Sequence, residues 1–176
     1  IGALARCSAG GFRFDHLATD AERLEKAPGA ETVQPLPVTG RDWPTYRANN
    51  RRSGSSPVPV GPAQPQWHHR PDRAHAPSEA TAAGGLVFFG GEDGRVRAVD
   101  AGTGELRWAF PTAGIVKYPP TIADGRAYFG SGDGHMYCLE AATGRLLWRF
   151  RAAPVERNLM VYGALSSTWP VNTGVL

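Results

Sequence analysis

The side chains able to do chemistry are few and scattered. His68, His69, Asp72 and His75 form the densest group of metal-ligand types, and their spacing matches no zinc motif. They sit in a Pro-rich, aperiodic stretch, where solvated loop histidines are expected. Cys7 and Cys138 lie far apart, with no C-x-x-C and no His at zinc spacing. A Cys7–Cys138 disulfide is open to them, although a free, buried thiol at Cys138 is the expected state. Asp93 and Asp133 each precede a glycine, which reads as turn chemistry, and His135 stands where Arg95 stands 40 residues earlier. No Ser/His/Asp order, phosphate-binding loop or paired-carboxylate pattern appears. The sequence therefore names no catalytic, cofactor-binding or metal-ligating residues.

What the chain does carry is a repeat. Gly84–Phe110 aligned on Asp124–Phe150 gives 11 identities in 27 positions, among them Asp93/Asp133, Gly94/Gly134, Thr103/Thr143, Gly104/Gly144 and Trp108/Trp148. Each copy reads as four short strands. In the second copy these are Thr121–Ala123, Ala127–Gly130, Met136–Leu139 and a last strand through Leu146, Trp148 and Phe150. Asp93-Gly94 and Asp133-Gly134 are expected to make tight hairpin turns with both residues at positive φ. Thr103-Gly104 and Thr143-Gly144 turn the chain into the last strand. There Leu106, Trp108 and Phe110, or Leu146, Trp148 and Phe150, alternate with more polar neighbours and should share one apolar face. Trp67 lies 41 residues before Trp108 and looks like the last strand of a degenerate preceding unit. Trp169-Pro170-Val171 looks like Tyr118-Pro119-Pro120 and would open a following one.

A four-stranded meander repeating at this period is the pattern of a β-propeller blade. The stretch Ala98-Val99-Asp100-Ala101-Gly102-Thr103-Gly104-Glu105-Leu106-Arg107-Trp108 resembles the tryptophan-docking motif of the quinoprotein (PQQ) β-propeller repeat, A-x-D-x-x-T-G-x-x-x-W. Ala98, Asp100, Thr103, Gly104 and Trp108 match every fixed position. The second copy keeps Thr143, Gly144 and Trp148 but has Cys138 for Ala and Glu140 for Asp. The resemblance implies that each tryptophan packs on the neighbouring blade. Asp100 and Glu140 can accept hydrogen bonds from the turn that follows them, the shorter Asp fitting better. Truncating Trp148 is expected to cost about 3–5 kcal/mol.

The fold class expected is all-β: a partial propeller of four-stranded antiparallel blades behind an irregular N-terminal segment. Residues 1–40 read as a tail or linker with a short helix, capped by Thr19 and Glu22, running through Lys26 to Pro28-Gly29. Residues 41–66 belong to a Pro-rich lead-in. Residues 67–176 carry the repeat, as an edge strand (67–80), two blades (81–118 and 119–160) and the start of a third (161–176). Two whole units fall short of a closed ring. The chain is therefore expected to belong to a longer propeller whose remaining blades are its first partners.

Function class follows from what is missing. Some propellers with this motif bind pyrroloquinoline quinone and Ca²⁺ and oxidise alcohols or sugars, using a vicinal Cys-Cys pair, a Trp and acidic ligands. This sequence has neither the Cys-Cys pair nor an acidic cluster with Ca²⁺-loop spacing. The resemblance favours the other class, non-catalytic envelope scaffolds that bind proteins in the periplasm or outside the cell, with no cofactor. A fragment of a PQQ/Ca²⁺ dehydrogenase is the alternative. Trp43 and Tyr46 interleaved with arginines could contact nucleic acid. A net charge of only +3 without a block of like charge argues against that, and the two rings are expected to pin the lead-in instead. No stretch is long and apolar enough to span a bilayer.

Overall fold

A computed structural model describes residues 17–59, 61–62, 64–71, 75–161 and 164–174. Cys7, Asp72 and the start of the 1–40 segment lie outside them. A single helical turn, α1 (Asp20–Arg23), leads into β1 (Leu24–Lys26). One antiparallel sheet follows in chain order as β2 (Pro77–Ala83), β3 (Leu86–Gly91), β4 (Arg95–Asp100) and β5 (Leu106–Pro111). A second runs β6 (Thr121–Ala123), β7 (Arg126–Gly130), β8 (His135–Glu140) and β9 (Leu146–Arg151). A hairpin of β10 (Asn158–Val161) and β11 (Ala164–Ser167) comes last. The two four-stranded meanders are propeller blades, and their sheets are not closed into a ring.

The blades stack face to face. On blade 1, Phe88, Val96, Ala98 and Trp108 form one buried face, with Phe110 packed beside them. It meets the Phe129, Tyr137 and Leu139 face of blade 2. Phe110 approaches Tyr137 edge-on at 5.9 Å, and Tyr137 stacks on Phe129 at 5.3 Å. Burial of these rings between two sheets is the main apolar term holding the blades together.

Each blade narrows at fixed glycines. Gly90 sits against Val116 on the linker between the blades, so close that a Cβ would come within 2.5 Å of the valine Cγ1. Gly130 meets Val171 in the same way, at 2.5 Å. Val116 N–H donates to Gly91 O and Val171 N–H to Ser131 O. The structural equivalent of Val171 is thus Val116. The Tyr118/Trp169 pairing read from sequence is out of step because a longer insertion separates the two linkers.

Three further expectations are corrected. The capping box at Thr19 and Glu22 forms, but the helix ends at Arg23 and the chain turns extended. Leu24, Glu25 and Lys26 pair with Phe150, Arg149 and Trp148 along the outer edge of β9. One turn is too short to persist alone, and the open strand edge offers a complete hydrogen-bond ladder. In the last strands, the pairing steps from Ala98↔Trp108 to Val99↔Leu106, and from Cys138↔Trp148 to Leu139↔Leu146. The extra residue is a β-bulge, which moves Leu106 and Leu146 off the tryptophan face; Leu106 is 51% exposed. The Asp93-Gly94 and Asp133-Gly134 turns have positive φ only at the glycines, 71° and 87°. The loops are a residue longer than a two-residue turn, with glycine alone in the left-handed position. The two-residue turn with both φ positive occurs instead at Asp124-Gly125 (48° and 72°).

The lead-in is pinned across the inner strands. Trp43 exchanges two 2.8 Å backbone hydrogen bonds with Ala82, and Ile122 N–H donates to Pro44 O at 2.7 Å. The buried hydroxyls of Thr45 and Thr121 are 2.9 Å apart. Tyr46 meets Tyr118 edge-on, and Arg52 lies over the Tyr46 ring. Residues 43–46 thus bridge β2 and β6, one from each blade.

Candidate docking site

The motif residues are positioned by the turn between the third and fourth strands of each blade. Asp100 Oδ1 accepts from the N–H groups of Gly102 (2.9 Å) and Thr103 (3.1 Å). Those two bonds hold its carboxyl below the usual carboxylate range. Gly104 and Gly144 both have φ of 75° and expose a flat backbone surface.

A tryptophan lies on each of these surfaces. The Trp108 indole covers Gly144, where a Cβ would fall 2.6 Å from the ring, and its Nε1–H donates to Ala141 O at 3.0 Å. Trp67 covers Gly104 in the same manner, with Nε1–H donating to Ala101 O at 2.9 Å. Trp67 is not part of a strand. Its ring therefore takes the position on blade 1 that Trp108 takes on blade 2, without the preceding unit's last strand expected from sequence. Trp148, the third of the series, is half-buried beside Tyr128, and its indole N–H has no hydrogen-bond partner among the described residues. The carbonyl acceptors at Ala101 and Ala141 were not legible as such. The period linking Trp67 to Trp108 was the signal for the first pairing.

The departures in the second motif have a structural counterpart. Cys138 is a free thiol, fully buried, and burial pushes it up to about 11. Glu140 does not cap the turn through backbone amides as Asp100 does. It accepts from the Thr143 hydroxyl, and its other oxygen accepts from Gln34 N–H at 2.8 Å and Arg145 Nη2 at 3.3 Å. These contacts, the Thr143 hydroxyl foremost, hold it below its ordinary range. Arg145 also donates to Gly29 O (3.1 Å) and Thr32 O (2.7 Å). The longer Glu side chain thus reaches past its own turn to Gln34 and, with the Arg145 that it holds, clamps residues 29–34 onto blade 2.

Asp93 and Asp133 are engaged by their own blades. Asp93 pairs with Arg97 through both carboxylate oxygens, beside the buried His75. Partial burial pushes the Asp93 carboxyl up, and the Arg97 guanidinium outweighs it and holds the group low. Asp133 accepts from Tyr137 Oη (2.7 Å), His135 N–H (3.0 Å) and Ala113 N–H (3.1 Å). Those bonds overcome its burial and lower it too, while burial and the Asp133 contact push the Tyr137 phenol well up. Among the described residues no group of three His, Cys, Asp or Glu side chains is placed to hold a metal ion. Asp93, Asp133 and Glu140 are thus each tied to partners within this chain.

A family model described as outer membrane protein assembly factor BamB matches residues 60–173. The chain belongs to that family. Among solved structures, BamB from Moraxella catarrhalis is 25% identical over 45% of this chain and 24% of its own, with a TM-score of 0.37. Quinohemoprotein alcohol dehydrogenase from Comamonas testosteroni is 17% identical over 71% of this chain and 22% of its own, with a TM-score of 0.50, a likeness of fold. The chain spans about a quarter of the length of either structure. No curated protein matches it. The BamB-type assignment places the two blades among PQQ-like β-propeller repeats.

Proposed function

We propose that this BamB-type segment is a non-catalytic, protein-binding or structural part of a larger cell-envelope propeller. In this reading Ala98, Asp100, Thr103, Gly104 and Trp108, with Cys138, Glu140, Thr143, Gly144 and Trp148, are a structural docking motif. The observation that carries it is the series of three indoles. Trp67 and Trp108 each lie on a glycine turn and donate to a carbonyl, and Trp148 presents the same ring with its N–H unpartnered among the described residues. A face with that chemistry fits another blade of the parent propeller, and blades so joined make a rigid platform for other proteins. The family supports a periplasmic or envelope setting, and no helix among the described residues is long and apolar enough to cross a membrane. Isothermal calorimetry with pyrroloquinoline quinone and Ca²⁺ tests the reading. No heat beyond dilution is expected, and saturable binding overturns it.

A further inference from the structure

The linker after blade 2 is fifteen residues longer than the linker after blade 1. Thr112 N–H and Ala152 N–H donate to equivalent glycines, Gly94 and Gly134, and Val116 and Val171 sit on equivalent glycines beyond. The extra length holds the β10–β11 hairpin, anchored to the blade by Ser167 N–H on Gly132 O (3.0 Å). An isolated two-stranded hairpin is marginal in water unless something covers it.

Its surface is unlike the rest of the molecule. Of the ten exposed large apolar side chains among the described residues, five are here: Leu159, Met160, Val161, Leu165 and Trp169. A sixth, Ile115, lies on the shorter linker. Met160 is 69% exposed and Leu165 54%. Concentration on one inserted loop is the pattern of an interaction site rather than of scattered surface apolars.

The shape is concave. Leu159, Val161, Leu165 and Pro170 line a cleft of about 770 Å³ together with Ile115. Ile115 also covers Gly132, and Gly132 N–H donates to Ile115 O, so the cleft continues the seam between the blades. Asn172, on the same lining, has a buried side-chain oxygen with no hydrogen-bond partner among the described residues. A buried acceptor of this kind is costly until a donor reaches it. β10 pairs only with β11, which leaves its outer edge open among the described residues. At the rim, Asp93 is neutralised by Arg97, while Glu92 has no ion pair among the described residues.

We infer that this cleft binds an extended, apolar polypeptide segment of another protein, carrying a basic residue that meets Glu92. The segment pairs with the open edge of β10 and sets alternate side chains against Leu159, Val161 and Ile115. A bilayer surface would suit a convex apolar tip and offers no N–H to Asn172 or to a strand edge. The inference rests on the scaffold reading and names where and how it binds.

The test uses the whole chain and a fluorescein-labelled peptide of alternating Val and Thr behind one Lys, read by fluorescence anisotropy. Saturable binding is expected, weakened about tenfold or more in a Leu159→Ser/Val161→Ser variant, the size of a hot-spot loss. Leu106→Ser, an equally exposed apolar position outside the cleft, serves as the control and should bind as the parent does. Circular dichroism melting of all three proteins shows that the fold is kept. Absence of binding, or binding equal in the cleft variant and the parent, overturns the inference and leaves the scaffold reading standing. Two other results overturn it as well. One is self-association abolished by the cleft substitutions, which would make the occupant a second copy. The other is binding to phosphatidylcholine–phosphatidylglycerol vesicles lost in the same variant, which would make it a lipid surface. Saturable quinone–Ca²⁺ binding would instead remove the scaffold reading itself.

Discussion

Replacing Trp108 and Trp148 by alanine, one at a time, separates a docked indole from an undocked one. Trp108 is only 9% exposed, lies on Gly144 and donates to Ala141 O. Truncating a core aromatic of this kind costs about 3–5 kcal/mol, and leaving the carbonyl unpaired adds about 1 kcal/mol more. Trp148 shares the ring and its place in the blade, but it is half-buried and has no acceptor among the described residues. With less area removed from water and no hydrogen bond to lose, it should cost about 1–2 kcal/mol. The figure expected for Trp148 from sequence therefore belongs to Trp108. In a chain of this size, a loss of about 4 kcal/mol lowers the melting midpoint by roughly 8–16 °C, and one of about 1.5 kcal/mol by roughly 3–6 °C. Calorimetric melting of the two variants against the parent reads the difference directly. Equal shifts would refute the reasoning, because they would mean that neither stacking on the glycine turn nor the carbonyl bond contributes to the blade interface.

Three further outcomes are expected. Gly144→Ala puts a methyl 2.6 Å from the Trp108 ring at a φ of 75°, and should destabilise by about 2–4 kcal/mol from backbone strain and overpacking, measured by urea unfolding. Glu140→Ala removes the Gln34 bond and the carboxylate that orients Arg145, which loosens the clamp on residues 29–34, so trypsin should cut after Lys26 faster than in the parent while the blades stay intact on a gel. The folded-state pKa values of Asp93, Asp133 and Glu140 are lowered, so the stability they contribute is present above their unfolded values near pH 4 and is lost as pH falls through the lower folded values. Melting midpoints should therefore drop on acidification below about pH 4, and the drop should be shallower in Glu140→Gln.

The sequence displayed the blades because their turns are chemically fixed. Glycines at 104 and 144 and the rings at 108 and 148 recur in phase, since a docked indole needs a bare backbone beneath it. Four features were hidden for physical reasons. The bulges at Arg107 and Leu147 leave no mark in an alternating pattern, because one extra residue shifts a side chain to the other face without changing its type. The strand β1 was masked by a genuine capping box, whose local preference loses to a long-range edge pairing with β9. Trp67 was legible as a member of the series, but nothing local said that it would serve without a strand. The hairpin after blade 2 broke the repeat period, and a short apolar run there gave no sign of its exposure.

The placement of the second motif's substitutions ties these observations together. In blade 1, Asp100 satisfies its own turn and the glycine surface is covered by the Trp67 ring. In blade 2, Glu140 reaches Gln34, Arg145 reaches Gly29 and Thr32, and β1 closes the outer edge of β9. Residues 24–46 therefore run from the outer edge of blade 2 to the inner strands of both blades. The segment that precedes the repeat holds it on two sides, and among the described residues the half-buried Trp148 face and the hairpin cleft lie away from those contacts. The first repeats an interface already made between the blades, so a blade fits it. The second has no counterpart in the repeat, since the shorter linker after blade 1 builds nothing like it. A surface that stacking does not require, carried on an insertion and lined with exposed Leu, Val and Ile, is where a partner other than a blade should bind.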